Sequence, residues 1–191
     1  MQRKSLWRTI KKMWYTNFRK VSVVQNGGEG MYSAIDIARY IIKYSNEKEY
    51  RVSNLKLQKL LYFVQAYFLI SLDKPAFSER IEAWSFGPVV PVVYREFKKY
   101  GSADIPPVGR WVFKSEHNFW DIYHDDYSYI PIKKAHKKII NKVVDEFSEY
   151  SAVGLMKLTH DQTPWKEAFN PQSYHHNNEI TNKDIKKYFE E

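Results

Sequence analysis

The sequence predicts a mainly α protein, α+β at most: a single compact helical domain around a buried central helix, with a small β element. Three observations carry that reading. The stretch from Asn54 to Ser71, NLKLQKLLYFVQAYFLIS, is apolar on nearly every face. Apolar residues at helical spacing return in several further segments. One short run alternates like a strand before Gly87-Pro88.

In the central stretch, Leu57, Leu60, Leu61, Val64 and Phe68 form one stripe, and Leu55, Tyr62, Ala66 and Leu69 a second on roughly the opposite side. Gln58 and Gln65 keep a polar seam between them. A helix of this kind is buried among neighbours. Two lysines and two glutamines interrupt it, which marks a core helix rather than a membrane span. With Ser53 as N-cap, Lys56 and Lys59 fall in the first two turns. Cations there oppose the helix dipole by about 0.3–1 kcal/mol each. Either they snorkel to the rim or pair with a carboxylate, or they break the local rule for a functional reason.

The N-terminal segment 1–30 carries seven Lys or Arg against the single acid Glu29, so it holds +6 of the formal net charge of +8. Little basic excess is left for residues 31–191, which weighs against nucleic-acid binding by the main domain. Leu6, Ile10, Met13 and Asn17 lie near one helical line with Trp14 and Phe18 beside them, and Arg8, Lys11, Lys12 and Arg19 lie elsewhere, a pattern of a basic amphipathic helix suited to a membrane surface, a nucleic acid or a partner groove. A second reading stays open. Asn26-Gly27-Gly28-Glu29-Gly30 precedes Met31, and its codons would resemble a ribosome-binding site, which would make Met31 the native start.

From Met31 onward, Ser33-Ala-Ile-Asp36 has the form of a capping box and opens a helix through about Tyr44, with Asn46 as its end. The central helix follows a charged turn. Asp73-Lys74-Pro75 breaks the chain after it. Ile81–Phe86 reads as an extended segment that Gly87-Pro88 stops. A helix then starts between Pro88 and Pro91, turns Val92, Val93 and Phe97 inward, and ends at Gly101. The aromatic-rich segment 102–130 contains Trp111, Phe113, Phe119, Trp120, Tyr123, Tyr127 and Tyr129, and reads as a hairpin or an ordered loop. Its rings either cover the core or form a partner surface.

Pro131 opens a further helix with Ile132, Ala135, Ile139, Val143 and Phe147 inward and five lysines outward. Ser151 caps a short helix through Leu158, Thr163-Pro164-Trp165 opens another turn, and Thr181–Asp184 caps a last helix that docks Ile185, Tyr188 and Phe189.

Catalytic signals are poor. The chain has no cysteine, so disulfides, thiolate metal sites and cysteine nucleophiles are excluded, in keeping with a cytoplasmic protein. The glycines make no phosphate loop, and no hydrolase elbow or zinc-helix motif occurs. Asp121, His124 and Asp125 have ligand-like spacing of a kind common by chance, and the adjacent His175 and His176 would point apart. No metal, cofactor or catalytic residue is therefore expected. His160 follows a helix C-terminus near Asp161 and Trp165. It reads first as a structural histidine whose ring nitrogens hold the following turn in place and second as the base of a small enzyme.

The run LKLQKLLYFVQAYFLI, then IEAWSFGPVVPVVYREFKKYG, then LTHDQTPWKEAF resembles the Panacea domain, the SocA-like antitoxin family that includes GepA-type phage-associated proteins. The resemblance covers roughly Met31 to the C-terminus, and the basic tail departs from the minimal domain. Matching motif residues are Lys56, Gln58, Lys59, Leu60, Leu61 and Tyr62, then Trp84, Gly87, Pro88 and Val89, then Thr159, His160, Pro164 and Trp165.

The resemblance implies a mainly helical, non-enzymatic antitoxin that neutralises a co-encoded protein toxin, commonly one that blocks translation, by direct binding. An alternative within the family is an adaptor that delivers the toxin to a ClpXP-type protease. A His160-based enzyme and a basic nucleic-acid binder are the rival classes. The expected contact residues are Lys56, Lys59, Tyr62, Trp84, Gly87 and Pro88. Gln58, Leu60, Leu61, Thr159, His160, Pro164 and Trp165 are expected to hold the scaffold.

Overall fold

The computed structural model describes residues 31–107, 110–113, 122–125, 132–172 and 178–190, with the backbone alone for 110–113 and 122–125. In chain order these form α1 (Ala34–Glu47), α2 (Asn54–Leu72), β1 (Ile81–Trp84), β2 (Gly87–Val89), α3 (Pro91–Phe97) with a 3-10 turn (Lys98–Tyr100), β3 (Arg110–Phe113), β4 (Ile122–Asp125), α4 (Lys134–Glu146), α5 (Ala152–His160), α6 (Thr163–Ala168), β5 (Glu179–Ile180) and α7 (Asn182–Glu190). The described chain is mainly helical with a small antiparallel β element, as the periodicity predicts.

Helix α2 is the centre. Helices α1, α3, α4, α5 and α7 and strand β2 all pack against it. Both stripes are covered except at the half-exposed Leu55, and Leu57, Leu60, Leu61, Tyr62, Phe63, Val64, Ala66 and Tyr67 are fully buried. The Phe63 ring stacks on Phe147 with centroids 4.3 Å apart. Ser53 caps α2 by accepting from the Lys56 N–H, and Asp73 ends it in the left-handed region at φ 55°.

The glutamine seam also faces protein. Gln58 Oε1 accepts from the Val90 N–H at 2.9 Å, and Gln65 Oε1 accepts from the Ala76 N–H at 2.9 Å. Each glutamine thereby ties α2 to a loop that has left regular structure, and a buried amide is stable only with such partners. Replacing Leu60 or Leu61 by alanine should cost on the order of 2–5 kcal/mol, because each opens a cavity in a packed interior. Urea denaturation checks this, and a loss under about 1 kcal/mol at both positions would contradict the central role of α2.

Strands β2, β1 and β5 form one antiparallel sheet in that order, with Trp84 opposite Gly87 and Ile81 opposite Ile180. A second pair, β3 and β4, joins Arg110 to Asp125 and Phe113 to Ile122, the hairpin expected in the aromatic segment. The capping signals hold at Ser33, Ser151 and Thr181, whose side chains accept from the N–H of Asp36, Gly154 and Asp184.

Several expectations need correction. Gly87-Pro88 does not stop the extended run. It starts β2, because the glycine turns the chain back on β1. Val92 and Ala135 face solvent, each in the first turn of its helix, and the helix that carries Ala135 begins at Lys134. Helix α1 continues to Glu47 and α5 to His160. Residues 1–30, together with Phe119, Trp120, Asp121, Tyr127, Tyr129, Pro131, His175 and His176, lie outside the described residues, as do the side chains of Trp111, Phe113, Tyr123, His124 and Asp125.

Candidate functional site

The three motif blocks meet at the turn between β1 and β2. Lys59, in the second turn of α2, runs beneath this turn and donates from Nζ to the Pro88 carbonyl at 2.7 Å. Gly87 has φ +95°, and a Cβ there would lie 2.8 Å from Thr159 Oγ1 and 2.9 Å from both Cε and Nζ of Lys59. Only glycine lets the turn approach both side chains so closely.

On the other side, the corner between α5 and α6 closes on the same turn. Pro164 sits in the first turn of α6, where its missing N–H costs nothing. The Trp165 indole N–H donates to the Trp84 carbonyl at 3.0 Å. The His160 ring stacks on Trp165 at 3.9 Å and 12°, and Trp165 stacks on Phe169 at 4.6 Å. Thr159 Oγ1 donates back to the Met156 carbonyl. Tyr62 OH donates to Gln162 Oε1 at 2.7 Å, which joins α2 to the N-cap of α6. Gln162 carries no signal in the sequence, since a polar residue between two short helices resembles loop. His160 thus braces the next turn by stacking rather than by the ring-nitrogen hydrogen bonds expected of it.

Burial shapes the electrostatics. The Lys59 amine is pushed down to about 7 by desolvation, with no carboxylate to hold its charge. His160 is lowered by burial first and by the Lys59 charge second, against a smaller upward pull from Asp161. Burial also raises the Tyr62 phenol. Lys56 is lowered by burial, with Glu149 and Asp104 opposing, and donates to the Ser148 carbonyl at 2.6 Å.

The lysines are therefore not surface cations. Lys59 is fully buried and Lys56 is 5% exposed, and both donate to backbone carbonyls instead of reaching the rim or a carboxylate. Tyr62, Gly87 and Pro88 are buried too, so Trp84 is the only one of the six expected contact residues that is partly exposed. The reason is that β2 and the α4–α5 connection cover the start of α2. What the turn exposes instead is Phe86, 64% accessible, with Val92 and Tyr94 on α3. Trp84 packs edge-on against Tyr94 at 5.1 Å and donates from its indole to Glu82. Phe86 carries no surface signal in the sequence, because an apolar residue after alternating neighbours looks like one more strand position.

Among the described residues no hydroxyl or carboxylate hydrogen-bonds to His160, and no cluster of His, Asp or Glu has metal-ligand geometry. Nor is any described helix long and apolar enough to cross a membrane. Fold and site together define a helical module whose motif residues hold one another around a projecting turn. The family model described as "Antitoxin SocA-like, Panacea domain" matches residues 57–166, and the chain belongs to that family. Antitoxin SocA from Caulobacter vibrioides (strain NA1000 / CB15N) is 43% identical over 65 residues, which is 34% of this chain and 35% of that protein. The match therefore spans about a third of the curated relative's length. No solved structure matches the chain.

Proposed function

We propose that the protein is an antitoxin that acts in the cytoplasm and silences a co-encoded, translation-blocking toxin by direct binding. Its contact face is the β1–β2 turn and the outer side of α3. Family membership supports the class. The observation that carries the surface is the exposed apolar group Phe86, Val92 and Tyr94, set beside the half-buried Trp84. Aromatic anchors of this type dominate protein interfaces. Arg95 on α3 and Lys98 and Lys99 on the 3-10 turn after it stand exposed and have no carboxylate partner among the described residues, which favours an acidic toxin surface. Lys56, Lys59, Tyr62, Gly87 and Pro88 then serve binding from behind, by fixing the turn.

The double variant Phe86→Ala, Tyr94→Ala tests the surface. Each truncation should cost about 2 kcal/mol of binding, roughly thirtyfold, if both are anchors. Cells expressing the toxin should lose rescue while the melting temperature of the antitoxin stays within a few degrees of wild type. Full rescue by the double variant would refute the surface. Rescue by the wild-type chain should also survive in cells lacking a ClpXP-type protease, and its loss there would replace direct silencing by proteolytic delivery.

A further inference from the structure

We infer that the polar cluster beneath the β1–β2 turn, built from Lys59, His160 and Gln162, is a binding site for a carboxylate. The amine of Lys59 is fully buried and meets one acceptor, the Pro88 carbonyl. A buried cation without a counter-ion is costly, and such charges are ordinarily paired. The unmet capacity around it is on the donor side. Among the described residues, the Gln162 amide Nε2, a donor, and the His160 Nε2, a donor in one ring tautomer, are both buried without a hydrogen-bond partner, in residues that flank one corner. The Gln162 side chain is 1% exposed, so solvent does not satisfy its amide.

Two nearby acceptors each already have a donor. Pro88 O accepts a hydrogen bond from Lys59 Nζ, and Gln162 Oε1 accepts one from the Tyr62 hydroxyl. The Thr159 hydroxyl spends its own proton on Met156 O. The acid nearest in sequence, Asp161, is exposed, and its carboxylate bonds to neither Lys59 nor His160. Lys59 lies near enough to His160 to depress its protonation, so the two share one electrostatic environment. A group that brought two acceptor oxygens and a negative charge would complete this set. On the side of Gly87 the turn packs so closely on Lys59 and Thr159 that no further atom fits between them. The half-exposed His160 ring and the exposed Ser85 and Phe86 mark the side from which it enters.

The carboxylate comes either from a free small acid or from an acidic side chain of a docked protein. Two probes separate these sources: sodium acetate, and N-acetyl-aspartate amide as a peptide-borne carboxylate. Each is titrated at constant ionic strength against chloride, with inorganic phosphate as a third arm, and followed by amide and indole NMR of the full chain. Saturable shifts at the Gly87 amide and Trp165 indole N–H, with the Ile185 amide unmoved, are expected from acetate, the aspartate probe or both. Lys59→Met should weaken the response at least tenfold. Shifts from phosphate alone, shifts spread evenly over the protein, or none at all would overturn the site. Should Lys59→Met not fold, the wild-type shift pattern decides the matter by itself.

Discussion

Stability should climb by about 3 kcal/mol between pH 7 and pH 9.5, and Lys59 should be responsible. The unfolded amine keeps its proton up to the ordinary value of 10.5, whereas the folded amine releases it near 7. Between those values the unfolded state binds more protons, so raising the pH favours the folded state. Below pH 7 both states are protonated and Lys59 adds no slope. The whole shift corresponds to roughly 5 kcal/mol at 1.36 kcal/mol per pH unit, with about 3 of it falling inside this window.

Two other sets of groups bound the effect. His160, lowered from 6.5, adds a rise on the acid side of that value. The phenols of Tyr44, Tyr62 and Tyr67 are raised, so unfolded tyrosines ionise first and stability falls above about pH 10. Urea denaturation at half-unit intervals reads the curve. Lys59→Met should flatten it between pH 7 and 9.5, and an equal slope in the variant would assign the rise elsewhere.

The second large effect is expected at Gly87. Alanine there must hold φ near +95° and place its Cβ within 3 Å of Thr159 and Lys59. Strain and crowding together should cost on the order of 2–4 kcal/mol. The crowding part is separable. In a Thr159→Ala background the Oγ1 contact is gone, so Gly87→Ala should be milder by about 0.5–1 kcal/mol or more, as coupled neighbours are. Strict additivity in denaturant midpoints would show that the turn relaxes freely. The same variant should weaken toxin rescue, because Phe86 adjoins the distorted residue.

How far the sequence could be read depended on where each residue's partner lies. Helix α2 was plain, since its apolar spacing states that it is covered on all sides. The caps Ser33, Ser53, Ser151 and Thr181 were plain as well, because a cap and its N–H are three residues apart. Lys59 was not. Its partner is a backbone carbonyl 29 residues away, and a carbonyl leaves no mark in a sequence. For the same reason the depth of Lys56 was hidden, with its acceptor 92 residues on. Strand β5 has two residues, too few to show a period. At the candidate site the motif blocks were visible as separate runs, but which of their residues reach solvent is a tertiary property. The turn tip Phe86 therefore escaped while its buried supports drew notice.

The place of β5 sets an order of events for the protein as it is made. Asn178 O accepts from the Ala83 N–H at 2.7 Å, and Ile180 lies opposite Ile81, so the strand behind the projecting turn gains its outer neighbour from residues almost a hundred positions later. Asn182 takes a proton from Gln65 in the central helix, and Phe189 packs on Tyr62 and Phe63. A nascent chain that has emerged only through α6 thus carries β1 with an open edge and α2 with one side bare. Such edges and faces are where unfinished chains associate wrongly. Any neutralising capacity that rests on the turn must then wait until Asn178 to Phe189 have been translated, and a toxin whose messenger is read faster would enjoy a head start.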